Sequence, residues 1–314
     1  MHSSNKALII GTGFGSLYKS IYESMGWEVT TIDIADPKAD YKTVVGSIVN
    51  DRYDKTELKN VRIKIDEMWK TRWDTCHITT PNYTHYELAD TCAMYSDMVF
   101  VEKPGVSSMM MWSQLLADHP DTRIMMVKNN QYRDNIREMA EAADPKKGVT
   151  RINWINDNRV PKPGSWFTTK KLAFGGVSRD LMPHLLSLYQ MFEPDWRTTK
   201  PKWAKKEQRW NLEDLTDSDY GDVDPNGVYN VDDFCYIDFG DFQLQTNWRA
   251  CASSNVVGDD IAVHTQTKSF ELGLCPEEAY KEMIKTALFE KSNDKYWQQQ
   301  MEMDLWIHQI LDNL

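Results

Sequence analysis

The segment KALIIGTGFGSLYKSIYESMGWEVTTIDIAD, residues 6–36, constrains the fold of this chain more than any other stretch. Ala7 to Ile10 form a short apolar run that stops at a glycine turn. Leu17, Ile21 and Met25 then recur at helical spacing, and Glu28 to Ile32 read as a β-branched strand. Further strands are expected at Asp74–Thr79, Met98–Val101 and Arg123–Val127, with helical patterns at His85–Ala93 and Ser108–Ala117 between them. Strands that alternate with helices across short loops must pair in parallel, with helices covering both faces of the sheet. Residues 1–128 therefore read as a Rossmann-type, doubly wound parallel sheet.

The pattern changes after residue 128. A strand at Thr150–Asn156 is followed by a long loop, a helix and an acidic insertion. Strands then recur near 234–239, 242–249, 261–265 and 269–272, and Gly240-Asp241 reads as a hairpin turn between two of them. Helices at Pro276–Phe289 and Lys295–Leu314 close the chain, with Leu305, Ile307, Ile310 and Leu311 packing the last one back onto the body, the first domain included. Residues 129–314 thus form an α+β domain with an open, mostly antiparallel sheet, and the whole is an α/β protein of two domains.

Composition excludes several functions. With 36 basic against 47 acidic residues the net charge is −11, which opposes a nucleic-acid or anionic-membrane partner. The apolar runs fall short of a membrane span. The five cysteines, 76, 92, 235, 251 and 275, form no CxxC pair, so a metal cluster is not expected and reduced thiols in a cytoplasmic protein are.

The glycine turn carries the first chemistry. Gly11 and Gly13 lack side chains where the chain must turn tightly and let its backbone approach a pyrophosphate, and Ser16 holds the third fingerprint position, where Gly or Ala is usual. Phe14 and Gly15 complete the loop. The helix N-terminus behind it favours negative charge. Asp33, ending the second strand twenty-two residues after Gly11, suits the ribose hydroxyls of NAD and would repel a 2′-phosphate; the nearby Lys38 leaves NADP open.

Residues 78–104, ITTPNYTHYELADTCAMYSDMVFVEKP, resemble the Gfo/Idh/MocA oxidoreductases through Thr80, Pro81, Asn82, His85, Glu102, Lys103 and Pro104 in order. NNQYRDNIREM, WFTTKKLAFGGVSRDLMPHLLSLYQMF and DDFCYIDFGDFQLQTNWRA extend the likeness into the second half. The resemblance implies an NAD(P)-dependent dehydrogenase or reductase acting on a CH–OH group of a sugar, polyol or nucleotide-sugar. It implies assembly as a homodimer or homotetramer, with Phe234, Tyr236 and Trp248 suiting either that surface or the core. It places Thr80, Pro81, Asn82, His85 and Glu102 at the cofactor. Lys103 becomes the cation beside the reacting oxygen, His184 the proton acceptor, and Asp180 a substrate and orienting ligand. Tyr132, Arg133 and Trp166 join them as substrate contacts. Competing implications are a biliverdin- or dihydrodiol-type reductase and a non-catalytic dinucleotide-binding regulator.

In a single helix Asp180 and His184 would share a face one turn apart, but Pro183 interrupts that segment. A weaker signal is DVDPNGVYNVDD, residues 222–233, where Asp222, Asp224, Asn226 and Asp233 sit at calcium-loop spacing around Gly227. Pro225 and the missing flanking helices favour a solvated acidic loop, and no metal site is expected.

Overall fold

The computed structural model describes residues 5–33, 71–250 and 258–314; Lys38 and Cys251 lie outside the described residues. The chain divides into two compact units, one of residues 1–106 and 110–127, the other of residues 107–109 and 128–314.

The first unit is a parallel sheet. Its strands β1 (Lys6–Ile10), β2 (Glu28–Ile32), β3 (Trp73–Ile78), β4 (Ser96–Val101) and β5 (Arg123–Met126) lie in the order β2-β1-β3-β4-β5. Every pair is parallel. Ala7, Leu8, Ile9, Cys76, Ile78 and Val99 to Val101 are fully buried, as strands covered on both faces require. The helices Gly15–Ser24, His85–Ala93 and Met109–Asp118 bury Tyr18, Ile21 and Tyr22, Ala89 and Cys92, and Trp112 and Leu115.

The second unit is a mixed sheet of β6 (Thr150–Ile155), β7 (Trp203–Glu207), β8 (Phe234–Asp238), β9 (Phe242–Asn247), β10 (Gly258–His264) and β11 (Ser269–Glu271). The order is β11-β10-β6-β9-β8-β7, and only β6 and β9 pair in parallel. Gly240, at φ +100°, turns the β8–β9 hairpin, and its N–H donates to Asp238 Oδ1 at 2.6 Å. Strand β7 has no apolar alternation to announce it. It is a polar edge strand, held by pairing with β8 rather than by burial of its own side chains.

Helix Met182–Phe192 is buried almost throughout and lies against β6, β9 and the C-terminal helix Asp294–Asp312. That last helix belongs to the second unit. Gln190 donates to Met303 O at 2.9 Å and Arg179 to Asp312 Oδ1 at 2.8 Å. Lys128 and Asp304 form an ion pair buried from solvent. Ile307, Ile310 and Leu311 of the same helix are buried, and Leu305 is half-buried.

Phe234 and Trp248 are core residues and Tyr236 is half-buried. No helix among the described residues is long and apolar enough to cross a membrane. Nor do three or more His, Cys, Asp or Glu side chains among them converge as a metal-binding group. In the acidic loop, Asp233 is buried and accepts N–H bonds from Arg209 at 2.9 Å and Trp210 at 3.0 Å, plus the Tyr229 hydroxyl at 3.0 Å. Its carboxylate pins the loop to β7, which the calcium spacing did not anticipate.

Candidate functional site

In the first unit the chain leaves β1 at Gly11, whose φ of +92° few side chains tolerate. Thr79 closes the turn from β3, donating its hydroxyl to Gly11 O at 2.6 Å. A Cβ on Gly15 would lie 2.7 Å from Ile9 Cγ2 and 2.8 Å from Thr79 Oγ1. Gly15, the first residue of the helix, therefore supplies the close helix–strand packing that the fingerprint assigned to position 16. Ser16 is exposed, and its hydroxyl donates to Gly13 O at 2.9 Å.

Gly13 differs from its neighbours. A Cβ there meets nothing within 4 Å, and its φ is not positive. The fold does not need a glycine at this place; an approaching ligand would. Exposed Phe14 flanks it, its ring edge-on to Tyr18 at 5.9 Å. Asp33 reaches the same turn, its Oδ2 accepting the Thr12 N–H at 2.7 Å and hydroxyl at 3.0 Å. These residues form an open turn with the Asp33 carboxylate held against it.

The Thr80–Pro81–Asn82 loop and the Glu102–Lys103–Pro104 turn leave the adjacent strands β3 and β4 at the same sheet edge. His85 joins them: Nδ1 lies 2.7 Å from Gly105 O and Nε2 2.8 Å from Thr80 O. Burial holds its pKa below the ordinary histidine value against the pull of both carbonyls, and nearby Lys103 adds to the lowering. Glu102 accepts the Tyr18 hydroxyl at 2.5 Å and the Lys103 N–H at 3.3 Å. Burial pushes its carboxyl up, opposed by Tyr18 and Lys103. The Lys103–Pro104 peptide bond is cis.

In the second unit Asp180 and His184 do not share one helix. A short helix, Val177–Asp180, ends at Asp180, the chain bends at Leu181, and helix Met182–Phe192 starts with Pro183 in its first turn. There the missing N–H of proline costs nothing, so Pro183 marks a helix start instead of a kink. Asp180 Oδ2 accepts the Trp248 indole N–H at 2.8 Å. His184 Nδ1 lies 3.2 Å from Asn130 Nδ2, and the Trp154 ring stands 5.4 Å away, tilted by 48°.

The approach to this pair is shaped by Gly176. A Cβ there would fall 1.7 Å from Asp232 O. Asp232 O accepts the Val177 N–H at 2.8 Å, and its carboxylate accepts Gly176 N–H at 3.1 Å and Ser178 N–H at 2.8 Å.

Tyr132 and Arg133 serve the fold. The Tyr132 hydroxyl lies 3.0 Å from that of Tyr296. Arg133 donates to Leu272 O at 2.6 Å, Gly273 O at 3.0 Å and Asn130 Oδ1 at 2.8 Å. An arginine whose three nitrogens all bond carbonyl oxygens of the protein is a structural tie, where the resemblance implied a substrate contact. Trp166 is half-buried and stacked on Phe167 at 3.8 Å, in a loop tied to the acidic insertion through Thr168 Oγ1 donating to Val228 O at 2.8 Å. Sequence reading gave no site role to Tyr18, Thr79, Asn130, Trp154 or Trp248. Tyr18, Thr79, Asn130 and Trp248 nevertheless lie inside the segments quoted above, beside signals that could have found them.

Residues 5–127 match GFO_IDH_MocA, the oxidoreductase family with an NAD-binding Rossmann fold, and the match runs through the first unit. Among individual proteins, a putative UDP-kanosamine synthase oxidoreductase subunit of Amycolatopsis mediterranei (strain S699) is 30% identical over 117 residues, covering 36% of this chain and 32% of that protein. The aligned part thus spans about a third of that relative's length. The likeness to solved structures runs through both units. GenD2 from gentamicin A biosynthesis, in complex with NAD, superposes at a TM-score of 0.68 with 16% identity over 99% of this chain and 93% of its own. The WlbA (WbpB) dehydrogenase of Thermus thermophilus, in complex with NAD and UDP-GlcNAcA, does so at 0.64 and 12% over 98% and 93%. Levoglucosan dehydrogenase, in complex with NADH and levoglucosan, gives 0.62 and 15% over 98% and 96%. At these identities the shared property is the fold.

Proposed function

We propose that this protein is an NAD-dependent oxidoreductase acting on a hydroxyl or keto carbon of a sugar, polyol or nucleotide-sugar. The observation that carries the reading is the open space over Gly13, in a turn where Gly11 and Gly15 are both required by packing and Asp33 supplies the carboxylate. That carboxylate favours NAD over NADP, since a 2′-phosphate beside it would meet like charge. Nicotinamide, when bound, supplies the hydride chemistry. Thr80, Pro81, Asn82, His85 and Glu102 belong to the loops that hold it, with His85 and Tyr18 fixing those loops.

Oxidation of an alcohol also removes the hydroxyl proton, and the negative charge this develops on oxygen is drawn into the carbon–oxygen double bond as the hydride leaves the carbon. Lys103 is the cation that stabilises this charge, His184 is the imidazole that hydrogen-bonds the same oxygen, and Asp180 orients the substrate. The UDP-kanosamine relative and the UDP-GlcNAcA complex of a structural neighbour support a nucleotide-sugar within the substrate class. Cys76, Cys92 and Cys235 are buried free thiols, which suits a cytoplasmic protein. Exposed Trp203, 5.2 Å from the Tyr236 ring, gives the second sheet a face for self-association as a dimer or tetramer.

The test is titration with NADH and NADPH, followed by energy transfer from tryptophan, and then a sugar and nucleotide-sugar turnover screen. Lys103→Met and His184→Ala are expected to keep NADH affinity and to lower turnover by roughly 10²–10⁴-fold. Binding of neither cofactor would leave the fold serving a non-catalytic role, and wild-type turnover in either variant would remove that residue from the site.

A further inference from the structure

Asn130 stands between two groups whose chemistry leaves its amide no choice of orientation. On one side is Arg133 Nε, 2.8 Å from Asn130 Oδ1. A guanidinium only donates, so the atom facing it must be the amide oxygen. That turns the amide NH₂ toward His184, where Nδ2 lies 3.2 Å from the ring Nδ1. An amide NH₂ also only donates, so Nδ1 must accept. An imidazole nitrogen accepts through its lone pair, and in the neutral ring the proton then resides on the other nitrogen.

We propose that Arg133 and Asn130 together lock His184 as its Nε2–H tautomer, making both positioning residues for the imidazole. The relay is protected from water: Asn130, Arg133 and His184 are 1%, 7% and 8% exposed. Turning the ring over would set a carbon-bound hydrogen against the amide and remove this acceptor from a buried N–H. Turning the amide over would set its NH₂ against the guanidinium. Arg133 is itself held by the carbonyls of Leu272 and Gly273, beyond β11, so the orientation is anchored in the sheet.

The consequence deepens the proposed function and rests on it. A neutral ring with its proton on Nε2 offers a hydrogen-bond donor there and no lone pair. His184 in this form donates a hydrogen bond that stabilises negative charge on the reacting oxygen, the hydroxyl proton passing to solvent water instead of to the ring as the family resemblance implied. Arg133, expected from sequence at the substrate, acts on it only through Asn130 and His184, three hydrogen bonds away.

The experiment reads the tautomer in the full-length protein with ¹⁵N-labelled histidine, free of cofactor and substrate. At about pH 8 an ordinary histidine is neutral, and long-range ¹H–¹⁵N correlation separates a protonated from an unprotonated ring nitrogen. Loss of one signal set in His184→Gln assigns the ring. The expected wild-type pattern is unprotonated Nδ1 and protonated Nε2. In Asn130→Asp a carboxylate faces both partners, so Nδ1 is expected to become protonated. A wild-type ring with its proton on Nδ1, or an even mixture of both forms, overturns the inference. So does an Asn130→Asp protein whose ring keeps the wild-type pattern. The wild-type spectrum decides the matter even if that variant fails to fold. Because no cofactor is present, failure to bind NADH would sink the proposed function and leave the tautomer result standing.

Discussion

Gly13→Ala separates a glycine required by the fold from one required by a ligand. The added methyl meets no atom within 4 Å, and the backbone is not in the left-handed region. Without ligand the substitution should cost nothing, and by restricting the unfolded chain it is expected to add about 0.4–1 kcal/mol. With dinucleotide bound, the same methyl occupies the space through which backbone approaches pyrophosphate. An overpacking penalty of about 1–3 kcal/mol corresponds to roughly 5–150-fold weaker NADH binding. Calorimetric titration gives the affinity, and a melting scan without cofactor gives the stability. Gly15→Ala is the control with the opposite signature: its Cβ lies 2.7 Å from Ile9 Cγ2, so it should lower the melting temperature in the absence of any ligand. NADH affinity in Gly13→Ala within twofold of wild type would refute this role for Gly13, as would a melting temperature that falls as far as that of Gly15→Ala.

Three further outcomes concern stability. Gly176→Ala drives a methyl to 1.7 Å from Asp232 O and disturbs the 2.8 Å bond from Val177; the expected loss is about 3 kcal/mol, seen as a fall of roughly 6–12 °C in the melting of the second unit. His77 is fully buried, 2.8 Å from the Tyr22 hydroxyl and stacked on Phe100 at 4.4 Å, and burial lowers its pKa to about 3. The unfolded chain takes up a proton below about pH 6.5 that the folded ring refuses, so this group destabilises the protein as pH falls, by roughly 3 kcal/mol at about pH 4. His77→Gln should flatten that part of the pH dependence in urea unfolding, and an unchanged dependence would remove His77 as its source. Lys128→Met leaves the Asp304 carboxylate buried without its lysine and should cost about 3–5 kcal/mol; Lys128→Met with Asp304→Leu should recover much of it. A double variant as unstable as the single one would show that the ion pair is not the reason.

The expected strands and helices of the first unit lie within two residues of those observed, because buried parallel strands write continuous apolar runs and short loops leave few topologies. Strand β7 escaped notice since WAKKE buries little; its hydrogen bonds come from β8, and backbone pairing leaves no trace in composition. Pro183 misled for a related reason. A proline forbids a helix interior and favours a first turn, and only the bend at Leu181 decides which applies.

The sequence by itself determined the order of elements, the glycine turn with its acidic partner, and the residue types that the chemistry calls for. Periodicity and local backbone freedom are properties of neighbours along the chain, so they are written there. Tertiary structure decided which side chains are tied to one another. It made Arg133 a structural tie, Gly15 the packing glycine, Asp233 a loop anchor, and Asn130 the amide whose orientation sets the proton on His184. Those roles depend on donors meeting acceptors across 54 or 139 residues of sequence, and a hydrogen bond is specified by the direction of its partners rather than by their identity alone.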